Sequence, residues 1–378
     1  MKIIIIGPAF PLRGGIATFD EMLCKTFTQL GHECQIVSYS LQYPSFLFPG
    51  KTQYDEKSEP PVDITIHTKL NSINPISWFQ TARFIRLQKP ELIIFRYWIP
   101  FMGPALGTIR RLLRDKNIYS IALVDNLIPH EKRFGDRFLN QYFMKGIQKY
   151  LVMSEEVKKD VLSLKNDAEV LLLRHPIYNN YGHSVPKEEA RTHLNLSQTQ
   201  NIILFFGLIR RYKGLDLLLE AMANFSNSDQ IILVVAGEFY EDKNHYFELV
   251  KKLNIEDKVR WFDQYIPNEE VKFFFSAANI LALPYRTATQ SGVTQVAFHF
   301  NTPVLVTDVG GLGEIIHHDE IGYVAKPNPT SIFHFLKHYF KNEKESEFRL
   351  KMEIEKKKYD WDKFAAKLIN FAVSQKSK

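Results

Sequence analysis

Short apolar runs alternate along most of the chain with stretches whose apolar residues recur at helical spacing. This is the pattern of strands buried on both faces and of the helices that cover them. Strands are predicted in the first half over 2–7, 34–39, 62–67, 92–96, 118–124 and 150–153, and in the second over 201–206, 230–236, 259–262, 280–283 and 303–307. Ile16, Phe19, Met22, Leu23 and Leu30 mark a helix after the first strand; Leu215, Leu218, Leu219, Met222 and Phe225 mark one after 201–206. Repeated alternation predicts the α/β class, with two doubly wound parallel-sheet domains in tandem. The polar stretch 174–200, with Pro176 and Pro186, is the expected linker between a first domain over 1–178 and a second over 179–359. Trp361, Phe364, Leu368, Phe371 and Ala372 lie at helical spacing, so a last helix is expected to cross back and pack 360–378 on the first domain.

A chain of 378 residues has room for two such cores. Two cysteines, Cys24 and Cys34, argue against a disulfide framework and for a reducing, cytoplasmic setting. The opening MKIIIIGPAF turns at once into Gly-Pro and reads as a buried strand rather than a leader. No run approaches the ~18 apolar residues that a membrane span needs. The net charge of +6 is unevenly placed: residues 78–116 hold eight cations against Glu91 and Asp115. Trp78, Phe79, Phe84, Tyr97, Trp98 and Phe101 lie among them, which suits an anionic lipid surface or a lipid-linked substrate, or else helices with solvated basic faces. No nucleic-acid motif accompanies the charge. Residues 40–61 form a long segment with four prolines and with Tyr43, Phe46, Leu47 and Phe48, as expected of an acceptor lid or a membrane contact.

The chemistry concentrates at a few turns. Between the strand 201–206 and its helix lies a turn with Gly207 and Gly214 at its ends and Arg210, Arg211 and Lys213 inside. A tight basic turn leading into a helix N-terminus predicts an anion site, since unpaired amides and the helix dipole both favour phosphate. Ser291, Gly292, Val293 and Thr294 open another helix after a polar turn and offer a second nest of amides. Gly14 and Gly15 allow either a close ligand approach or simply a tight turn. Glu238, after Gly237, falls at a strand end, where α/β sheets place ligands; it is otherwise a plain surface carboxylate.

In order and spacing these stretches resemble family 4 glycosyltransferases of the GT-B fold over nearly the whole chain. The matching residues are the Gly14-Gly15 turn, the basic turn 207–214, AGEFY at 236–240, YIPNEEV at 265–271, and LPYRTATQSGVTQ at 283–295 followed by NTPVLVTDVGGLGEII. The resemblance implies two Rossmann-like domains facing across a cleft. It also implies retaining transfer of a sugar from a nucleotide diphosphate donor, held mainly by the second domain, to an acceptor on the first. Lipid-linked or growing glycans are the acceptors it suggests, at the inner face of a bacterial membrane. Arg210 and Lys213 would then neutralise the departing diphosphate, which calls for fixed cations more than for a base. Gly14, Gly15, Gly207, Glu238, Gln290 and Ser291 to Thr294 would contact the donor, with Tyr265 and Ile266 reading its base. Arg96, Trp98, Asp125, Asn126 and Glu131 would line the acceptor side, and His130 would orient a sugar or acceptor hydroxyl and exchange a proton near neutrality, or merely cap a helix.

The chain departs from that family at two places. The family's paired glutamates, eight positions apart, are replaced by Ala288, Thr289 and Gln290 at the first site and by Val296 or Ala297 at the second. Thr289, Gln290 and Gln295 are the residues left to replace those contacts, and SGVTQ resembles the corresponding turn of glycogen synthases. Leu208 stands where the basic turn usually has arginine. Asp360-Trp361-Asp362 reads as a helix cap rather than a metal motif, and the His317-His318 turn lacks ligand spacing, so no metal or other cofactor is expected. Gly310-Gly311-Leu312-Gly313 has the wrong spacing for a nicotinamide enzyme. A UDP-sugar epimerase and a nucleotide-sugar-binding protein without transfer activity remain as alternatives.

Overall fold

The computed structural model describes residues 1–44, 52–55, 59–115, 118–128, 134–178, 181–288 and 291–374. They form two compact units, Met1–Pro176 with Tyr359–Lys378, and Ile177–Lys358. The first unit contains β1 (Lys2–Ile6), α1 (Gly15–Gln29), β2 (Glu33–Leu41), β3 (Thr65–Asn71), α2 (Pro75–Leu87), β4 (Leu92–Tyr97), α3 (Gly103–Leu112), β5 (Tyr119–Val124), α4 (Asp136–Met144), β6 (Lys149–Val152), α5 (Glu155–Leu164) and β7 (Glu169–Leu172). Among the described residues its sheet has seven strands in the order β3-β2-β1-β4-β5-β6-β7. All the pairings in it are parallel. The winding reverses between β1 and β4, and the carboxyl ends of these two strands therefore border the crevice where such sheets bind ligands.

The second unit contains α6 (Lys187–His193), β8 (Asn201–Phe206), α7 (Leu215–Met222), β9 (Ile231–Ala236), α8 (Asn244–Leu253), β10 (Val259–Phe262), α9 (Asn268–Ala277), β11 (Ile280–Leu283), α10 (Gly292–His299), β12 (Val304–Thr307), β13 (Gly322–Ala325), α11 (Pro329–Lys341) and α12 (Glu345–Glu355). Its parallel sheet has the order β10-β9-β8-β11-β12-β13 among the described residues, and its winding reverses between β8 and β11. The chain then returns to the first unit as α13 (Trp361–Val373), in line with the expectation from the sequence. Asp360 caps this helix through Lys363 N. Trp361 and Phe364 pack on Phe19 of α1 at ring distances of 5.0 and 5.8 Å. At the other end Lys149 Nζ donates to the carbonyl oxygens of Phe371 and Ala372 at 2.7 and 3.3 Å, answering the negative end of the helix.

Three expectations need correction. The strand predicted over 62–67 runs Thr65–Asn71, with Val62 94 % exposed in the turn before it. β3 is an edge strand, where polar Thr65, His67 and Lys69 cost little, so the apolar run misplaced its start. The strands β7 and β13 were not foreseen. Of the aromatics read as a lipid-facing cluster, Tyr97 and Trp98 belong to the core. Tyr97 stacks on Phe143 at 4.1 Å and donates to Asn140 Oδ1 at 2.6 Å; Trp98 donates to the Tyr43 hydroxyl at 2.6 Å. Tyr43 also stacks on Phe101 at 6.2 Å, so it is packed rather than presented to a partner. Phe46, Leu47 and Phe48 lie outside the described residues. Among the described residues no helix is long and apolar enough to cross a membrane.

Candidate functional site

In the second unit the basic turn leaves the carboxyl end of β8 at Gly207, whose φ of 104° is open to glycine and strained for other residues. A Cβ on Gly207 would lie 3.2 Å from Lys213 Nζ and 3.5 Å from Val293 Cγ2. The absent side chain therefore makes room for an ammonium beside the start of α10. Next to it Gly237 is pinned to the same turn, since a Cβ there would come within 2.0 Å of the Gly207 carbonyl oxygen. Ile209 N donates to Glu238 O at 2.8 Å and Tyr240 N to Ile209 O at 3.0 Å, which zips the turns after β8 and β9 together.

Lys213 is 8 % exposed. Its ammonium lies 5.5 Å from the centre of the Tyr285 ring and makes no ion pair with a carboxylate among the described residues. Burial, helped by the charge of Arg210, lowers its pKa from 10.5 to about 7. Arg210 sets its guanidinium over Tyr240 at 5.2 Å, whereas Arg211 is exposed. The α7 N-terminus itself is a weaker anion site than the sequence suggested. Asp216 in its first turn already answers the dipole, paired with Arg286 at 2.5 Å, and a Cβ on Gly214 would lie 2.1 Å from the Pro284 carbonyl oxygen.

The turn after β11 completes this side. Ser291 caps α10 by accepting from Val293 N at 3.3 Å, and Thr294 Oγ1 donates to Ser291 O at 2.5 Å. Gly292 is small for a reason the sequence did not give: a Cβ would meet Tyr178 Cε2 at 3.2 Å. Gln295 is fully enclosed and its Oε1 has no hydrogen-bond partner. Val296 and Ala297, at the position of the family's second glutamate, are buried in the core. Glu238 is buried as well, which removes the reading of a plain surface carboxylate. Tyr265 is half-buried and Ile266 buried in the turn after β10. Ile266, Phe262, Gln264, Pro267 and Phe274 line a cavity of about 190 Å³ closed by His193–Asn195 and Glu270. Gln290 lies outside the described residues. The structure thus brings Gly207, Lys213 and the start of α10 together, with Arg210, Glu238, Tyr265 and Ile266 on the same strand-end side of the sheet.

In the first unit Gly14 has a φ of 116°, and Gly15 opens α1; both are exposed, and a Cβ on Gly14 would meet nothing. Arg96 and Asp125, predicted to face an acceptor, hold each other. Arg96 Nε and Nη2 donate to the two carboxylate oxygens of Asp125, each at 2.6 Å. On its other side Arg96 Nη1 lies 3.4 Å from Asp20 Oδ1, and its guanidinium sits 4.2 Å from the Phe19 ring centre. Asp20 is fully buried, and burial holds its pKa well above 3.8 despite Arg96. Gly7 at the end of β1 is required here, because a Cβ would fall 2.1 Å from Asp20 Oδ2. The cluster therefore stands at the β1/β4 reversal. Asn126 follows with its Oδ1 buried and unpaired. His130 and Glu131 lie outside the described residues. Among the described residues no three metal-ligating side chains gather into a site.

The arrangement of two parallel α/β units with a returning C-terminal helix is the GT-B fold of glycosyltransferases. Sucrose-phosphate synthase from Thermosynechococcus elongatus superposes with a TM-score of 0.76 at 17 % identity, covering 98 % of both chains. HepE of Anabaena in complex with UDP gives 0.75 at 12 % identity, over 98 % of this chain and 100 % of that one. Residues 186–359 match the model of the family described as Glycosyl transferases group 1. In sequence the chain is 24 % identical to an uncharacterized glycosyltransferase of Methanocaldococcus jannaschii, over 98 % of this chain and 97 % of the other. It is 22 % identical to N-acetyl-alpha-D-glucosaminyl L-malate synthase of Bacillus anthracis, over 88 % and 85 %. The second unit thus matches the group 1 family model, and both relatives, which span most of the chain, carry the names of sugar-transfer enzymes.

Proposed function

We propose that the protein is a retaining glycosyltransferase of family 4. It moves a hexose-type sugar from a nucleotide diphosphate sugar to a growing glycan or lipid-linked acceptor, without a metal ion. The observation that carries this reading is the buried ammonium of Lys213, which meets no carboxylate among the described residues and is set between Gly207 and the first turn of α10. A cation held out of water with no counter-charge is poised for an anionic ligand, and its attraction grows as the leaving diphosphate gains charge. The amides of Gly292 to Thr294 share that charge, and Arg210 adds a second cation at the rim. The turn at Tyr265 and Ile266 reads the base. On the first unit Gly14, Gly15, Asp125 and Asn126 serve the sugar and acceptor, with Arg96 holding Asp125.

Since a structural relative binds UDP, uridine is the first base to try. Melting of the protein with UDP, GDP, ADP and TDP selects the nucleotide, and transfer is then followed with the matching nucleotide sugars in excess chelator. No shift with any of the four overturns the reading; activity that collapses with chelator overturns its metal-free part. Val296 and Ala297 at the glutamate position favour a second reading, a subunit that binds nucleotide sugar without turnover. Binding with no transfer and no hydrolysis would decide for it. An anionic lipid surface at the inner face of a cytoplasmic membrane belongs to the same proposal.

A further inference from the structure

Helix α10 is held at both ends by one short stretch of chain. The second unit begins at Ile177, and the next residue, Tyr178, is 3 % exposed with its ring laid on the first residue of the helix. A Cβ on Gly292 would stand 3.2 Å from Tyr178 Cε2 and 3.4 Å from its hydroxyl oxygen. The backbone at Gly292 is helical and does not itself call for glycine; the approach of the ring does. At the last residue of the helix His299 Nε2 donates to the Gly182 carbonyl oxygen at 2.6 Å. Between these two contacts Tyr181 meets Tyr178 edge to face, with ring centres 5.9 Å apart. Burial, and then the neighbouring Tyr265 phenol, raise the Tyr181 pKa above its ordinary 10, so Tyr181 stands beside the turn after β10.

The basic turn borders the same end of the helix. Val293 Cγ2 and Lys213 Nζ lie 3.5 and 3.2 Å from the point where a Gly207 Cβ would be. Tyr285 touches both parts, its hydroxyl 3.4 Å from Ser291 Oγ and its ring centre 5.5 Å from Lys213 Nζ. Gly292 and Val293 are consecutive. The first turn of α10 is therefore bounded by Tyr178 through one residue and by the Lys213 turn through the next. In a close-packed interior such a contact passes a displacement on rather than absorbing it.

We propose that Tyr178 is a positioning residue for the donor diphosphate: packed on Gly292 and steadied by Tyr181, its ring sets the first turn of α10 where the amides of Gly292 to Thr294 and the Lys213 ammonium converge on one phosphate group. The inference rests on the reading of that turn as the diphosphate site. Hydrogen bonds to phosphate are short and directional, so amides and ammonium act together only while their spacing is kept. Tyr178 keeps it without touching the ligand. A ring placed only to fill space would lower the melting temperature when removed and leave the preference for a diphosphate as it was.

The experiment measures, by titration calorimetry on the full chain, how much tighter the nucleoside diphosphate selected by melting binds than its nucleoside monophosphate. Tyr178→Leu and Tyr178→Ala should each cut that ratio by about tenfold or more, the worth of a charged hydrogen bond lost from the terminal phosphate. Tyr178→Phe keeps the ring and should stay within about twofold of wild type. Gly292→Ala crowds the ring and should cut the ratio too. In the Tyr178→Ala background its methyl enters the room the ring has left, so the double variant should lose no more than Tyr178→Ala alone. Far-ultraviolet circular dichroism checks the fold, and if Tyr178→Ala does not fold, Tyr178→Leu and Gly292→Ala carry the test. A wild type that binds nucleotide while Tyr178→Leu keeps the same ratio would overturn this inference and leave the proposed function standing. So would losses that simply add in the double variant, or a phenylalanine protein as impaired as the leucine one. A wild type that binds no nucleotide removes the proposed function and this inference with it.

Discussion

Lys213→Met should make the protein more stable and a worse nucleotide binder at once. In the folded chain the amine titrates near 7, against 10.5 for an ordinary lysine, because burial and Arg210 both disfavour its charge. At about 1.4 kcal/mol per pH unit, carrying that charge costs the fold on the order of 4 kcal/mol at neutral pH, an upper figure because local relaxation reduces it. The unfolded chain holds the proton up to pH ~10, so it binds more protons than the fold between about 7 and 10, and stability rises with pH across that window. Below 7 the penalty is complete. Methionine keeps the stem and drops the charge, so the variant should gain roughly 1–3 kcal/mol at pH 7 and lose the rise between 7 and 10. A bound diphosphate reverses the balance, restoring the proton that burial removed. Titration calorimetry at pH 8 in buffers of different ionisation heat should therefore record uptake of nearly one proton per bound nucleoside diphosphate. Affinity should fall by up to about tenfold per pH unit above 7 in the wild type and stay flat in Lys213→Met. Equal proton uptake in the two proteins would refute the reasoning, since it would put the proton on some other group.

Three further outcomes follow from other residues. Arg96→Gln leaves Asp20 and Asp125 without their shared cation and should cost about 3–5 kcal/mol in urea unfolding at pH 7, while Asp20→Asn, which keeps shape and removes an expensive charge, should cost under about 1 kcal/mol. Glu21 accepts from Phe10 N at 2.6 Å, yet burial raises its pKa from 4.5 to about 7. Its contribution to stability is complete below pH 4.5 and lost as pH rises through 7, so Glu21→Gln should flatten the fall in melting temperature between pH 5 and 7. Gly207→Ala strains a φ of 104° and crowds Lys213 Nζ at 3.2 Å; nucleotide affinity measured by thermal shift should drop about tenfold or more while the far-ultraviolet circular dichroism is kept.

The fold was legible because parallel strands buried on both faces leave continuous apolar runs, as in Ile3 to Ile6 and Ile231 to Ala236. What escaped is where the run is short or one side is open: β7 is Glu-Val-Leu-Leu and half-buried throughout, and β13 follows a histidine-rich turn. At the basic turn the sequence pointed to Lys213, which the structure buries beside Gly207 and Val293, but not to Asp216 as the group that occupies the helix dipole, since that depends on which way one side chain leaves the turn. Tyr97 and Trp98 were misjudged for a similar reason. Alternation at a strand end does not say which face is core when helices cover both. Asp20 carried a readable signal that went unused: it stands four residues after Ile16 and three before Leu23, an acid in the middle of a buried stripe, and Arg96 is its compensation. Tyr178, packed on Gly292, left no mark in the sequence at all.

The dependence of α1 on α13 has a consequence for how the chain is made. Phe19 and Lys149 belong to the first part to leave the ribosome, yet the residues that finish covering them, Trp361 to Ala372, are translated after the whole of the second unit. The second unit is continuous in sequence and is free to fold as it emerges. The first must wait, with the α1 face and the Lys149 ammonium uncovered, for as long as it takes to add some two hundred residues, about 10–40 s at ordinary elongation rates. During nascent-chain synthesis that face is the one a chaperone would find exposed.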